Sequence, residues 1–186
     1  MKKDFGAKPW IFPQPVLIIG TYDENGVPDA MNAAWGGVGD DTQVFLCLSP
    51  GHKTVKNILA KGEFTVSFAT EGTIAACDYV GIASGNNEPD KFAKSGLHCH
   101  KAEHVDAPVI EELPVCMECK LISYEPEHCH LFGEIVNTSV DEEMLTDGKP
   151  DADKIRPMTF DICAAAYRPV GAACAKAWGV GKELMK

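Results

Sequence analysis

The sequence has no apolar run long enough to span a bilayer, and its first residues, Met1-Lys2-Lys3-Asp4-Phe5, lack the apolar core of an export signal. The expectation is a cytoplasmic protein without a membrane partner. Cations are also in short supply: 17 Lys and Arg stand against 27 Asp and Glu, a net charge of −10. General nucleic-acid binding needs clustered Lys and Arg to neutralise phosphates, so that class is set aside. A small anionic ligand stays open, because one local positive site suffices. There is no internal repeat and no low-complexity tract. No Ser-His-Asp order or paired-carboxylate motif stands out, so hydrolysis has no candidate and no catalytic acid or base is assigned. Glu118 and Glu134, on candidate neighbouring strands, read as carboxylates on a barrel exterior. Gly36-Gly37-Val38-Gly39 lacks the strand–turn–helix context of a dinucleotide fingerprint, which excludes a Rossmann reading.

Cysteine, by contrast, is plentiful. Eight Cys in a chain without an export signal read as thiols rather than disulfides, and hint at life with little oxygen. Cys116-Met117-Glu118-Cys119 has metal-type spacing, but it lies in a strand-like run, where residues three apart face opposite sides. His98-Cys99-His100 and His128-Cys129-His130 are weak ligand pairs. No metal site is assigned.

At 186 residues, 45% hydrophobic and 24% charged, the chain reads as a single globular domain spanning 1–186, large enough for a real core. Three prolines by position 15 forbid regular structure in the apolar N-terminal arm. Val16 to Tyr22 and Pro28 to Gly37 form a hairpin across Asp23-Glu24-Asn25-Gly26, where Asn-Gly signals a tight turn. Gln43 to Ser49 is a third strand, apolar on both faces and so central. Val55, Ile58 and Leu59 then recur at helical spacing, with Thr54 as N-cap and Gly62 as the left-handed terminator. Phe64 to Phe68 returns to strand. Residues 70–97 read as two short helices in a lid or dimer excursion. Val115 to Glu125 and Cys129 to Val140 are long strands, 141–153 is a surface loop, and one more strand lies near Phe160 to Cys163, before an alanine-rich tail. Hairpin-connected strands with one or two helical excursions imply a mainly β fold, an antiparallel barrel.

Two features suggest a ligand. Small residues at the end of the second strand (Ala33, Ala34, Gly36, Gly37) leave a bare backbone that a flat group can approach, and Trp35 offers a wall for it. Its plainer alternative is a core tryptophan. Lys53 and Thr54 stand where a helix begins, so free N–H groups, the dipole, a hydroxyl and an ammonium together make a phosphate cradle. Here the alternative is an ordinary capped helix with a solvated lysine. The pair of signals reads as a site for a flat aromatic group bearing a phosphate.

These stretches resemble a known family. Val16-Leu17-Ile18-Ile19-Gly20-Thr21-Tyr22-Asp23, Asn32-Ala33-Ala34-Trp35-Gly36-Gly37, Lys53-Thr54-x-x-Asn57-Ile58, Phe64-Thr65-Val66-Ser67, Asp78-Tyr79-x-Gly81-x-x-Ser84-Gly85, Asp90-Lys91-Phe92 and Glu118-Cys119-Lys120-Leu121 are similar, in register from residue 1 to about 160, to the flavoredoxin branch of the flavin reductase-like, FMN-binding split-barrel proteins. Beyond that the match is loose, through Tyr167 and Gly179-Val180-Gly181. The resemblance implies a split β-barrel homodimer with FMN near the subunit interface. By position, Trp35 and the Asn32-Ala33-Ala34 backbone would lie beside the isoalloxazine ring. Ser49, Lys53 and Thr54 would meet the phosphate, Ser67 and Phe68 the ring edge, and Lys91 the flavin from the lid. Asp29 and Asn32 depart from the family pattern, which has Asn and Thr there. An ionised Asp29 near the ring would oppose the negative charge of reduced FMN and lower the potential, unless it turns away. The implied activity is oxidoreduction through bound FMN. It is left open whether the protein takes hydride from NAD(P)H as an enzyme, carries electrons between protein partners, or is a non-redox flavin-binding module.

Overall fold

The computed structural model describes residues 1–185. Its elements in chain order are β1 (Gln14–Pro15), β2 (Leu17–Tyr22), β3 (Pro28–Ala33), β4 (Gly36–Asp40), β5 (Gln43–Cys47), α1 (Lys53–Lys61), β6 (Glu63–Phe68), α2 (Ile74–Ile82), α3 (Lys91–Lys94), β7 (Cys99–Lys101), β8 (Pro108–Ile110), β9 (Val115–Glu125) and β10 (His130–Val140). There follow β11 (Leu145–Thr146), β12 (Lys149–Pro150), α4 (Ala152–Ile155), β13 (Met158–Asp161) and β14 (Ala166–Pro169). Among the described residues no helix is long and apolar enough to cross a membrane.

The main sheet is antiparallel, in the order β3-β2-β6-β9-β10-β5-β4. Its two edge strands, β3 and β4, are consecutive in the chain and joined by Ala34 and Trp35 alone. A link of that length reaches no more than about 11 Å. The sheet must therefore curl until its edges nearly meet, which makes a half-closed barrel with its split at Ala34-Trp35.

Strand β2 is apolar on both faces because each face packs on a different layer. Leu17 and Ile19 point into the barrel, with Val44, Leu46, Phe64, Val66, Leu131 and the α1 residues Val55 and Ile58. Ile18, its preceding neighbour Val16, and Ala30 face outward, under Cys77 and Val80 of α2, Phe92 of α3, and Met158. The 70–97 excursion is thus the outer cover of the sheet, as well as a contributor to the cavities described below. Helix α1 ends where expected: Gly62 has φ +72°, and its N–H donates to the Ile58 carbonyl at 2.7 Å.

Several expectations need correction. Thr54 does not cap α1; the helix starts at Lys53, with His52 before it, and the Thr54 hydroxyl is buried inside the first turn. Gly36 and Gly37 do not belong to the β3 arm. They open β4, a strand the sequence pattern concealed because its residues, GGVGD, carry almost no apolar signal. A Cβ at Gly36 would lie 2.8 Å from the Leu46 side chain and 2.9 Å from Leu17, so this glycine makes room for the core, not for a ligand. The 141–153 loop contains the β11–β12 ribbon and the start of α4. The alanine-rich tail yields β14, which pairs with β13 through Phe160↔Tyr167. Glu118 is buried rather than exterior: it accepts the His104 N–H at 2.6 Å and the Asn137 amide at 2.8 Å, tying the 102–107 loop to β9 and β10. Cys116 and Cys119 both sit in β9. Burial pushes their thiols up, to about 11 and about 12.

Candidate functional site

Two adjoining cavities lie at the split of the barrel. The wider, about 670 Å³, is walled by Asn32, Ala33, Ala34 and Trp35 where β3 gives way to β4. Cys47, Leu48 and Ser49 at the end of β5 form its next wall, and Asp78, Gly81 and Ile82 of α2 another. Phe160 and Tyr167 close it from the C-terminal ribbon. Such a volume suits a small organic ligand. Trp35 is 47% exposed, so it belongs to the cavity wall and not to the core. The narrower cavity, about 210 Å³, lies at the start of α1. It is lined by His52, Lys53 and Thr54, by Ser84 and Gly85, and by Lys91. Met31, His52, Gly81 and Ile82 border both cavities, so a single elongated ligand can occupy the two together.

The charges of the narrow cavity are already arranged. Lys53 Nζ lies 3.2 Å from Asp23 Oδ2. Asp23 is itself held by the hairpin turn, since its Oδ1 accepts the N–H groups of Asn25 and Val27 at 2.9 and 3.0 Å. Burial pushes the Asp23 carboxyl up, but these bonds and Lys53 together outweigh it and hold the group below the usual carboxylate range. Deeper in, Lys91 and Asp29 form a buried pair at 2.9 Å, each 5% exposed or less. The Thr54 hydroxyl donates to the other Asp29 oxygen at 2.6 Å. Gly85 lies directly against this pair: a Cβ there would be 2.7 Å from Asp29 Oδ1 and 3.2 Å from Lys53. His52 makes no side-chain cap to α1, which leaves the first-turn amides open toward an anion.

In the wide cavity the polar atoms are ordered by a contact across most of the chain. The Tyr167 hydroxyl donates to Asp78 Oδ1 at 2.6 Å, and the Asn32 amide donates to the Tyr167 oxygen at 3.4 Å and to the Cys77 carbonyl at 3.2 Å. Burial, with the Asp78 contact second, pushes the Tyr167 phenol up to about 12, so it keeps its proton at neutral pH.

Of the residues expected from the sequence, Asn32, Ala33, Ala34, Trp35 and Ser49 line the wide cavity, and Lys53, Thr54 and Lys91 the narrow one. Asp29 lines neither, being turned into its bonds with Lys91 and Thr54. Ser67 is buried in β6 opposite Ile18 and Cys116, and Phe68 packs on the barrel core, so neither reaches a cavity wall. Cys47, Leu48, Ile82, Phe160, Asp78 and Tyr167 were not singled out as site residues. Asp78 and Tyr167 were visible as parts of the family-like stretches, whereas nothing in the local sequence marks the others. Among the described residues no three His, Cys, Asp or Glu side chains converge as a metal site.

Comparison with known proteins gives a family and a fold. The family model described as the flavin reductase like domain matches residues 10–160. The flavoredoxin of Desulfovibrio vulgaris (Miyazaki F) is 40% identical, superposes with a TM-score of 0.93, and the match covers 97% of this chain and 100% of that one. The flavoredoxin from Methanosarcina acetivorans is 26% identical with a TM-score of 0.87, over 99% of this chain and 100% of the other. An FMN-binding domain of a flavin reductase-like enzyme from Shewanella baltica OS155 shares the fold at 19% identity, with a TM-score of 0.77 over 88% of this chain and 89% of its own.

Proposed function

Because the chain belongs to the flavin reductase-like family and has its split-barrel fold, we propose that it is an FMN-binding redox flavoprotein. The observation that carries this reading is the joined pair of cavities, one flat-walled beside Trp35 and the Asn32–Ala34 backbone, the other opening on a helix start with Lys53. A tricyclic ring with a phosphate tail needs both. The residues fit that group: small side chains at Ala33 and Ala34 let it approach the backbone, Trp35 walls it, and Ser49, Thr54, Lys53 and the first amides of α1 meet the phosphate. Bound FMN supplies the two-electron redox chemistry.

The chain's own residues bind and orient. Lys53 offers a partly exposed ammonium already aimed by Asp23. Lys91 and Asp29 brace the floor of the narrow cavity from beneath, so Asp29 presents little free negative charge to a ligand. Asn32, Tyr167 and Asp78 fix the polar side of the wide cavity. This reading includes a homodimer in the cytoplasm, with NAD(P)H or a redox partner protein as electron source.

The test is the visible absorption spectrum of the purified protein, before and after anaerobic addition of NADH or NADPH. The expected result is a flavin band. Bleaching by pyridine nucleotide identifies a reductase, and persistence favours a carrier fed by a protein donor. A chain without a flavin band, even after incubation with FMN, refutes the proposal.

A further inference from the structure

On the polar side of the wide cavity, the place of each proton follows from what the partners can do. Asn32, Tyr167 and Asp78 all line that cavity. A carboxylate only accepts, so in the 2.6 Å contact with Asp78 the Tyr167 phenol gives its proton. The phenol oxygen is then an acceptor toward Asn32, at 3.4 Å. The second partner of Asn32 is the Cys77 carbonyl at 3.2 Å, which also can only accept. Both contacts therefore need the NH2 end of the amide. A reversed side chain would set its oxygen against the Cys77 oxygen, so the carbonyl decides the orientation. Helix α2 closes on the same side chain: a Cβ at Gly81 would lie 2.8 Å from the Asn32 Cβ, so a glycine there lets the helix come this near.

What Asn32 has left is one polar atom, Oδ1. Its amide nitrogen makes the two bonds above, and among the described residues no group donates to the oxygen. Nor, among the described residues, is any fully buried side-chain oxygen without a partner. Oδ1 is therefore accessible, and the space that Asn32 lines is the wide cavity. The wall beside Ala33 and Ala34 thus presents a fixed acceptor that cannot turn into a donor. An oxidised flavin ring carries a single N–H, that of its imide, and its other polar atoms are acceptors.

We propose that Asn32 Oδ1 accepts the imide N–H of the bound ring, and that Tyr167 and Asp78 are positioning residues that hold the Asn32 amide in the orientation this requires. This rests on the flavin reading above. It makes the ring's hydrogen-bond donor, and not its flat shape alone, the feature that the wide cavity selects.

The experiment measures Kd by quenching of flavin fluorescence, for FMN and for FMN methylated at the imide nitrogen. The natural protein should hold the methylated form at least about tenfold more weakly, because an acceptor is left without its hydrogen bond. Asn32→Leu keeps the bulk of the side chain and removes the acceptor. In that variant FMN should bind roughly tenfold more weakly than in the natural protein, and the ratio between the two ligands should fall to about threefold or less. Tyr167→Phe keeps the ring that packs on Phe160 and removes only the hydroxyl. Its ratio should lie between the other two, whereas a part confined to supporting the fold would weaken both ligands alike and leave the ratio unchanged. Equal affinity for the two ligands in the natural protein, or the same ratio in the natural protein and Asn32→Leu, overturns the proposal and leaves the flavin reading standing. If Asn32→Leu does not fold, an unchanged ratio in Tyr167→Phe overturns it instead. A protein that binds neither ligand overturns both.

Discussion

At the scale of single residues, the two lysines of the narrow cavity have different tasks. Lys53 is partly exposed, and its contact with Asp23 is the kind of pair that contributes only about 0–1 kcal/mol. Its ammonium is available to a phosphate, where a charge-assisted bond is worth roughly 1.5–3 kcal/mol. Lys53→Ala should weaken FMN binding by roughly ten- to a hundredfold, read by fluorescence quenching, while the apo-protein's urea midpoint stays nearly fixed. Lys91 is buried against Asp29. Removing one partner of such a pair strands the other charge and costs about 3–5 kcal/mol. Lys91→Ala should therefore lower the urea midpoint sharply, with or without FMN. Equal stability losses for the two variants would refute this division. It also bears on Asp29: a carboxylate neutralised by Lys91 and bonded to Thr54 should hardly tune a flavin. Asp29→Asn strands the Lys91 ammonium instead, so it is expected to lower the urea midpoint much as Lys91→Ala does, measured on the two variants side by side.

At the scale of elements, local rules were legible wherever a local cause acts. The β2–β3 hairpin follows from Asn25-Gly26, and the end of α1 from Gly62, because a left-handed residue there is a local steric fact. Gly62→Ala should accordingly cost about 1 kcal/mol, seen as a lower thermal midpoint; there is open space for its Cβ, so the whole cost is backbone strain. What stayed hidden depends on distant chain. β4 reads as a glycine-rich loop until β5 is beside it, and β14 reads as tail until β13 pairs with it. The start of α1 was misread for the same reason. Thr54 has the chemistry of a cap, but Asp29, 25 residues earlier, claims its hydroxyl. The candidate site divides similarly. Trp35, Asn32 and Lys53 are contiguous with readable strand and helix ends, whereas Tyr167 reaches Asn32 across 135 residues.

At the scale of the whole molecule, an acidic chain folds around several carboxylates that need their charge. Glu118 is the best buried of those shifted downward. Burial pushes it up, but the Asn137 amide, the His104 N–H and the His104 ring outweigh that and hold it below the usual range. Asp23 and Glu112 are likewise held down, Glu112 by its bonds to His98 after burial is offset. A carboxyl lowered in the folded state contributes stability that is complete above its unfolded value, near pH 4, and disappears as pH falls through the folded value. The native chain should thus hold its thermal midpoint from neutrality to about pH 5 and lose it steeply below about pH 4. Because Glu118 joins the 102–107 loop to both long strands, Glu118→Gln removes one titrating group at the junction of three elements. Its midpoint at pH 7 should be lower, since an amide accepts the His104 and Asn137 donors less strongly than a carboxylate does. Its loss between pH 5 and pH 3 should be smaller, because nothing at that position remains to be protonated. Parallel pH profiles for variant and natural protein would assign the acid sensitivity to the hairpin turn and to the His98–Glu112 contact instead.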